Sequence, residues 1–266
     1  MTVAKGAARA ATDSTAFRAL ARTGYAANGV VHALIGVIVV AIAAGGDGES
    51  DQAGAFKAIA DAPAGFLALW VLAVALGALG VWHVAGAVIA QGSSDTRRWV
   101  ARLSEAGRAA VYLALAAVSV TVALGSRPDS ESSAQSASGG VLSLPGGSFL
   151  LGAAGLAIGG AGVAFVVIGI RRSFRKKLAL PAGPAGRAIM MLGSIGYAAK
   201  GVALAAVGVL LVVAAVRVSP EEAGGLDGAI SALRELPFGP WIIAGVGVGF
   251  IAYGIFCGFR ARFARL

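Results

Sequence analysis

The chain contains two histidines, His32 and His83, and each lies inside a long apolar stretch of the sequence. An imidazole titrates near neutral pH, binds metals and haem iron, and both donates and accepts hydrogen bonds. On a helix, His32 shares one face with Tyr25 and Gly29, and His83 shares a face with Gly80. Because glycines allow helices to approach closely, we expect both histidines to face protein and not lipid.

Three interpretations of the histidines remain open. In the first, each imidazole is neutral and forms a structural hydrogen bond with a neighbouring helix. In the second, His32, His83 and Tyr25 line a polar site of a small transporter or channel, because ionisable groups inside a membrane are costly and often functional. In the third, the imidazoles bind haem or a metal, although we expect no carboxylate beside them to complete a metal site. We expect Cys257, the single cysteine, to be a small packing residue.

A weak internal repeat adds a second set of polar residues. The motif Gly24-Tyr25-Ala26-Ala27 returns in residues 196–199, and a more divergent copy begins near residue 101. In this alignment Asn28, Arg108 and Lys200 occupy one position, near one end of an apolar block. They either extend towards the lipid headgroups or form a basic column that contacts an anionic lipid or substrate.

The composition defines the class of protein that carries these residues. Hydrophobic residues make up 58% of the chain and charged residues 13%, whereas a soluble domain has about half and about a quarter. Six apolar blocks are long enough to cross a bilayer. We therefore predict an all-α integral membrane protein with six transmembrane helices, in blocks at roughly 24–44, 65–90, 108–125, 148–170, 189–216 and 239–259.

The distribution of charge predicts the orientation. Most basic residues lie in the N-terminal arm, the second and fourth connections and the C terminus, whereas most acidic residues lie in the other connections. The positive-inside rule then puts both termini in the cytoplasm of a bacterium, with the protein in its cytoplasmic membrane. We expect the basic cluster after the fourth block to contact anionic headgroups and no nucleic acid; it consists of Arg171, Arg172, Arg175, Lys176 and Lys177.

The repeats predict three parallel tandem hairpins, at residues 15–95, 96–180 and 181–266, after a flexible arm at residues 1–14. Trp70 and Trp82 align with Trp241 and Tyr253 in the second helices of the first and third hairpins. We expect the serine-rich segment at residues 126–140 to be a flexible external linker.

These motifs resemble a bacterial membrane family known as domain of unknown function 1206. The resemblance rests on the repeated GYAA motif, on the glycine- and aromatic-rich stretch GFIAYGIF at residues 249–256, and on the basic RRSFRKK at residues 171–177. It covers nearly the whole chain and implies three tandem two-helix units, without implying an activity. The second unit departs from the pattern, with Ser104 and Glu105 in place of Gly-Tyr.

The sequence favours a non-enzymatic membrane protein, acting as a scaffold, an accessory subunit or a lipid-contacting protein. It lacks the GxxxxGK[ST], GxSxG and HExxH motifs that mark common enzyme sites. A small transporter or channel is the alternative, and a haem or metal protein is the third. We expect no bound cofactor, and we expect membrane lipids, another membrane protein or a second copy of the chain as partners.

Overall fold

The computed structural model describes residues 14–90 and 94–264, and most of them are helical. Six of the described helices are long and apolar enough to cross a membrane, as predicted, and three short α-helices and two 3-10 helices lie between them. The predicted flexible arm at residues 1–14 lies outside the described residues, except for Ser14. In chain order the helices are α1 (Thr15–Ala43), α2 (Gln52–Ala60), α3 (Gly65–Ile89), α4 (Asp95–Ala123), α5 (Ser130–Leu142), α6 (Gly147–Arg171), α7 (Pro184–Arg217), α8 (Gly225–Arg234) and α9 (Gly239–Phe263).

The prediction of a flexible linker at residues 126–140 is wrong, because most of this segment belongs to α5. The Asp129 side chain accepts hydrogen bonds from the backbone amides of Glu131 and Ser132, and so caps the N-terminus of this helix. The helices α2 and α8 occupy the corresponding places in the other two hairpins. Each hairpin is therefore a long helix, a short helix and a second long helix.

A Pro-x-Gly turn precedes each second long helix. Its middle residue has a left-handed backbone, with φ of 59° at Ala64, 76° at Gly146 and 62° at Phe238. The glycine that follows begins the helix and leaves no room for a side chain: a Cβ at Gly239 would lie 1.9 Å from the Arg234 carbonyl oxygen. The same crowding occurs at Gly65 and Gly147. The turn fixes where the second helix starts.

This turn corrects the predicted alignment of the second helices. Counted from the turn glycines, Trp82 corresponds to Phe256 and not to Tyr253, so the predicted tryptophan match is three residues out of register. In the corrected register Gly80, Gly162 and Gly254 are equivalent. Each packs against the first helix of another hairpin, and a Cβ there would lie within 3 Å of that helix.

The six long helices form an open arc in the order α4, α3, α1, α9, α7, α6. Neighbours in the arc run antiparallel: Gly29 and Gly36 of α1, for example, meet Gly254 and Gly247 of α9. The most extensive contacts join different hairpins, namely α6 with α7, α9 with α1, and α3 with α4. Within the described chain, α4 and α6 do not pack along each other, and they are the least buried of the six long helices.

The two ends of the bundle differ in character. The end that carries α2, α5 and α8 is called the acidic end, and the opposite one, where α1 begins and α9 ends, the basic end. Towards the acidic end the bundle is filled by apolar side chains such as Ile35, Val39 and Ile243, and Phe56 of α2 and Ile230 of α8 pack onto them. The side chains of Tyr25, His83 and Glu105 lie towards the basic end, whereas His32 and Lys200 lie near the middle of α1 and α7.

Candidate functional site

The two glycine-flanked histidines face protein, as predicted, and only 3% of His32 and 4% of His83 is exposed. His32 Nδ1 lies 2.8 Å from the Asn28 carbonyl oxygen. Because a carbonyl only accepts, Nδ1 carries the proton and Nε2 has a free lone pair. The ammonium of Lys200, in α7, donates to that Nε2 at 3.1 Å. Three helices thus contribute to one buried polar group, since Tyr253 of α9 lies against the imidazole.

Aromatic rings surround the Lys200 ammonium. Its nitrogen lies 4.9 Å from the centre of the Tyr253 ring and 5.7 Å from that of Phe165. Aromatic faces attract cations, and the attraction strengthens where water is excluded. The ammonium therefore has a nitrogen acceptor and two ring faces in place of a carboxylate. Among the described residues, no carboxylate pairs with this ammonium.

Asn28, which the repeat alignment placed in one column with Arg108 and Lys200, is buried. Its side-chain amide donates to the Cys257 sulfur at 3.5 Å. Arg108 pairs instead with Glu105 of its own helix. Asn28, Arg108 and Lys200 thus have separate partners, and none of these contacts joins them into a ring.

His83 belongs to a second polar group, between α3 and α4. Its Nδ1 lies 2.6 Å from a carboxylate oxygen of Glu105, and Arg108 binds the other carboxylate oxygen. The His83 ring stacks on Tyr112, with an angle of 12° between the ring planes. Its Nε2 is buried without a hydrogen-bond partner in the described residues. The sequence prediction missed Glu105 because it placed this residue before the third apolar block, in a connecting segment.

Tyr25 lies in a third group, at the end of α9. The Arg260 guanidinium lies 4.2 Å from the centre of the Tyr25 ring, and Nη2 of Arg260 donates to the tyrosine hydroxyl at 3.4 Å. Tyr25 packs with Leu79 and Tyr112 in a small apolar cluster. Tyr25 and the two histidines therefore occupy one region of the bundle but have different hydrogen-bond partners.

A cavity of about 390 Å³ opens at the basic end beside the His83 group. Three basic residues and one carboxylate line it: Arg97, Arg108, Lys177 and Glu105. Burial lowers the pKa of Lys177, and the charge of Arg108 lowers it further, although Glu105 opposes this effect. Glu105 connects the cavity with the buried His83, because one carboxylate bonds the imidazole and also lines the open volume.

The basic cluster after α6 is exposed at this end, as its composition suggested. Its five members, Arg171, Arg172, Arg175, Lys176 and Lys177, all have exposed side chains. Phe174 within the cluster is buried against Tyr197 and Phe256, and the following Ala179 amide donates to the Phe263 carbonyl. These contacts hold the cluster against the ends of α7 and α9.

The histidine geometry bears on the haem interpretation. A bis-histidine haem uses one nitrogen of each imidazole, and Nε2 of His32 already accepts the Lys200 hydrogen bond. Within the parts of the chain that the structure describes, no three histidine, cysteine or carboxylate side chains gather at a point where they could hold a metal ion.

The fold and the site define a helical membrane-protein class built from three repeated units, with ionisable side chains buried between the helices. The chain belongs to the family Domain of Unknown Function (DUF1206), whose sequence model matches residues 23–90, 92–172 and 195–264. The uncharacterized protein YxxB of Bacillus subtilis (strain 168) is 28% identical over 241 residues, which cover 88% of this chain and 86% of that protein. No solved structure gives a significant match.

Proposed function

We propose that this is a non-enzymatic, lipid-contacting protein of the bacterial cytoplasmic membrane, whose basic end binds anionic headgroups. The observation that carries the proposal is the cavity at the basic end, where Arg97, Arg108 and Lys177 surround about 390 Å³. Each basic residue near an anionic membrane surface contributes about 1 kcal/mol of attraction. The exposed cluster beside the cavity adds to this positive surface.

The proposed orientation places both termini in the cytoplasm and the three hairpins parallel to one another. The basic cluster and the cavity lie at the end where α9 finishes, and the acidic loops lie at the other end. The positive-inside rule then assigns the basic end to the cytoplasm. A reporter enzyme that is active only outside the cytoplasm tests this when it is fused after Phe263 or within the loop at Ser143. We expect activity from the loop fusion alone.

The lipid contact itself is tested by extracting the protein with its surrounding lipids in polymer nanodiscs. We expect the ratio of anionic to zwitterionic lipid in these discs to exceed that of the whole membrane. Replacing Arg171, Arg175 and Lys176 with glutamine should lower the ratio towards the bulk value. A ratio equal to the bulk value in the unaltered protein would contradict the proposal.

A proton-linked transporter is the second candidate, and the two buried polar groups favour it. His32 with Lys200 and His83 with Glu105 place ionisable pairs inside membrane-spanning helices, where such groups often form proton pathways. Apolar side chains fill the bundle towards the acidic end, so transport would require a second conformation. Proton uptake into proteoliposomes under an imposed pH gradient distinguishes this candidate. It requires uptake that His32→Ala and His83→Ala abolish.

A further inference from the structure

We propose that the gap between α4 and α6 holds one anionic glycerophospholipid, with its phosphate at the cavity and an acyl chain between the two helices. The inference rests on the proposed lipid-contacting function and makes it specific, because it assigns one lipid to one site. It also assigns a role to the second hairpin, whose two helices do not pack on each other.

The gap follows from the arc of helices. The two helices of the first hairpin pack together, as do those of the third, whereas α4 packs on α3 and α6 packs on α7. The contact that would close the arc is the one between α4 and α6. An open lateral gap of this kind faces the bilayer, so a lipid can enter from the membrane without crossing the protein.

The wall that α6 gives to the gap is lined by small side chains. Gly155 and Gly162 mark the face of α6 that meets α7. At 100° per residue, Ala157, Ala161 and Ala164 lie on the side turned away from α7, and all three are exposed. Ala161 is the nearest of them to the side that carries Phe165, whose ring faces Lys200 inside the bundle. The bulky Leu156 and Val163 lie on the other side. A row of methyl groups leaves space for an acyl chain.

The charges at the basic end select the headgroup. The cavity lies between α4 and the segment after α6, so it forms that end of the gap. Its one lining carboxylate, Glu105, already binds Arg108 and His83. The positive charge of the lining therefore exceeds its negative charge, and Lys177 has Arg108 as a like-charged neighbour that lowers its pKa. A phosphodiester would relieve this repulsion, and a headgroup with net negative charge would do so more than a zwitterionic one.

Native mass spectrometry of the full-length protein, first stripped of lipid and then titrated with phosphatidylglycerol or phosphatidylcholine, tests the proposal. We expect one tightly bound phosphatidylglycerol per chain and several-fold weaker binding of phosphatidylcholine. Lys177→Gln should weaken phosphatidylglycerol binding by about fivefold, the amount expected for one cation. The control Arg187→Gln removes an exposed cation at the same end of the bundle, outside both the cavity lining and the basic cluster, and should leave the affinity unchanged.

A second pair of variants tests the position of the acyl chain. Ala161→Trp fills the gap and should abolish the single adduct, whereas Val163→Trp, on the bulky side of the same helix, should retain it. Inorganic phosphate added in excess should leave the lipid bound, because the acyl chain contributes to binding; displacement would indicate a site for free anions. Equal binding of the two lipids, or an adduct that survives Ala161→Trp, would overturn the proposal.

These outcomes are separable from those for the general function. If the nanodiscs show anionic enrichment but no single adduct forms, the protein has a basic lipid surface without a specific site. If a single adduct forms without enrichment, the general proposal fails and the site remains.

Discussion

Lys200 of α7 donates to Nε2 of His32 of α1, and this contact joins the first and third hairpins inside the membrane-spanning region. The lysine approaches the imidazole with Tyr253 and Phe165 against its ammonium. A neutral imidazole accepts this bond because its other nitrogen donates to the Asn28 carbonyl. The pair therefore depends on one tautomer of His32, which the backbone of α1 fixes.

Removing His32 alone should destabilise the protein more than removing both partners. In His32→Phe the Lys200 ammonium loses its nitrogen acceptor, at a cost of about 1–3 kcal/mol for an unsatisfied buried group. Adding Lys200→Met removes the buried charge and should restore much of the loss. Thermal unfolding in detergent compares His32→Phe, Lys200→Met and the double variant. Non-additive changes support the contact, whereas simple addition of the two single effects would contradict it.

The hydrogen bond between His83 and Glu105 predicts that two substitutions of Glu105 lower the stability of the protein by different amounts. Glu105→Gln keeps an oxygen that accepts from Nδ1 of His83, whereas Glu105→Ala leaves that buried donor unpaired. We expect the alanine variant to lose about 1–3 kcal/mol of stability and the glutamine variant to lose less. The midpoint of thermal unfolding compares the two variants. Equal midpoints would show that the carboxylate acts only through its charge on Arg108.

The Pro-x-Gly turn predicts opposite effects at adjacent residues. Phe238 has a positive φ, a conformation that costs an L-residue about 1–2 kcal/mol but is open to glycine. Phe238→Gly should therefore stabilise the turn, although it also removes an exposed ring. Gly239→Ala should destabilise it strongly, because the new Cβ would overlap the Arg234 carbonyl. Gly245→Ala is the matched control, because a Cβ there meets nothing within 4 Å. Unfolding midpoints of the three variants give the comparison.

The sequence predicted the parts of the fold that depend on composition. Runs of apolar residues located the six long helices, and the glycines beside His32 and His83 identified faces that pack against other helices. The spacing of Gly254 and Gly258 in α9, four residues apart, is only half informative: Gly254 lies against Gly29, but a Cβ at Gly258 would meet nothing within 4 Å. Glycine spacing alone does not say which side of a helix meets a neighbour.

The polar partners were beyond sequence reasoning because they come from different hairpins. Lys200 and His32 lie 168 positions apart, and nothing in either segment predicts that the two meet. The repeat alignment placed Lys200 in a column with Asn28 and Arg108, but equivalence in a repeat does not imply contact. Glu105 was missed because α4 extends well before its apolar block, so a carboxylate at its polar end reaches His83. The repeated Pro-x-Gly sequence was a usable signal for the hairpin register.

The pKa of Lys177 gives a pH-dependent prediction for the cavity. Desolvation and the nearby Arg108 lower this pKa, so Lys177 loses its proton at a lower pH in the folded protein than in the unfolded chain. Its contribution to stability is therefore unfavourable at neutral pH and is relieved as the pH rises through the lowered pKa. A neutral amine is also the reactive form, so trace labelling with acetic anhydride should modify Lys177 faster than Lys176 in lipid-free protein.

Bound anionic lipid should have the opposite effect on the pKa of Lys177. A phosphate beside Lys177 favours the protonated form and raises its pKa, so labelling at a fixed pH should slow when phosphatidylglycerol is added. Following labelling against pH by peptide mass spectrometry separates a change of pKa from simple shielding. A shift of the whole curve to higher pH shows the electrostatic effect. A uniform fall in rate at every pH would indicate that the lipid only covers the amine, and the phosphate would then lie away from Lys177.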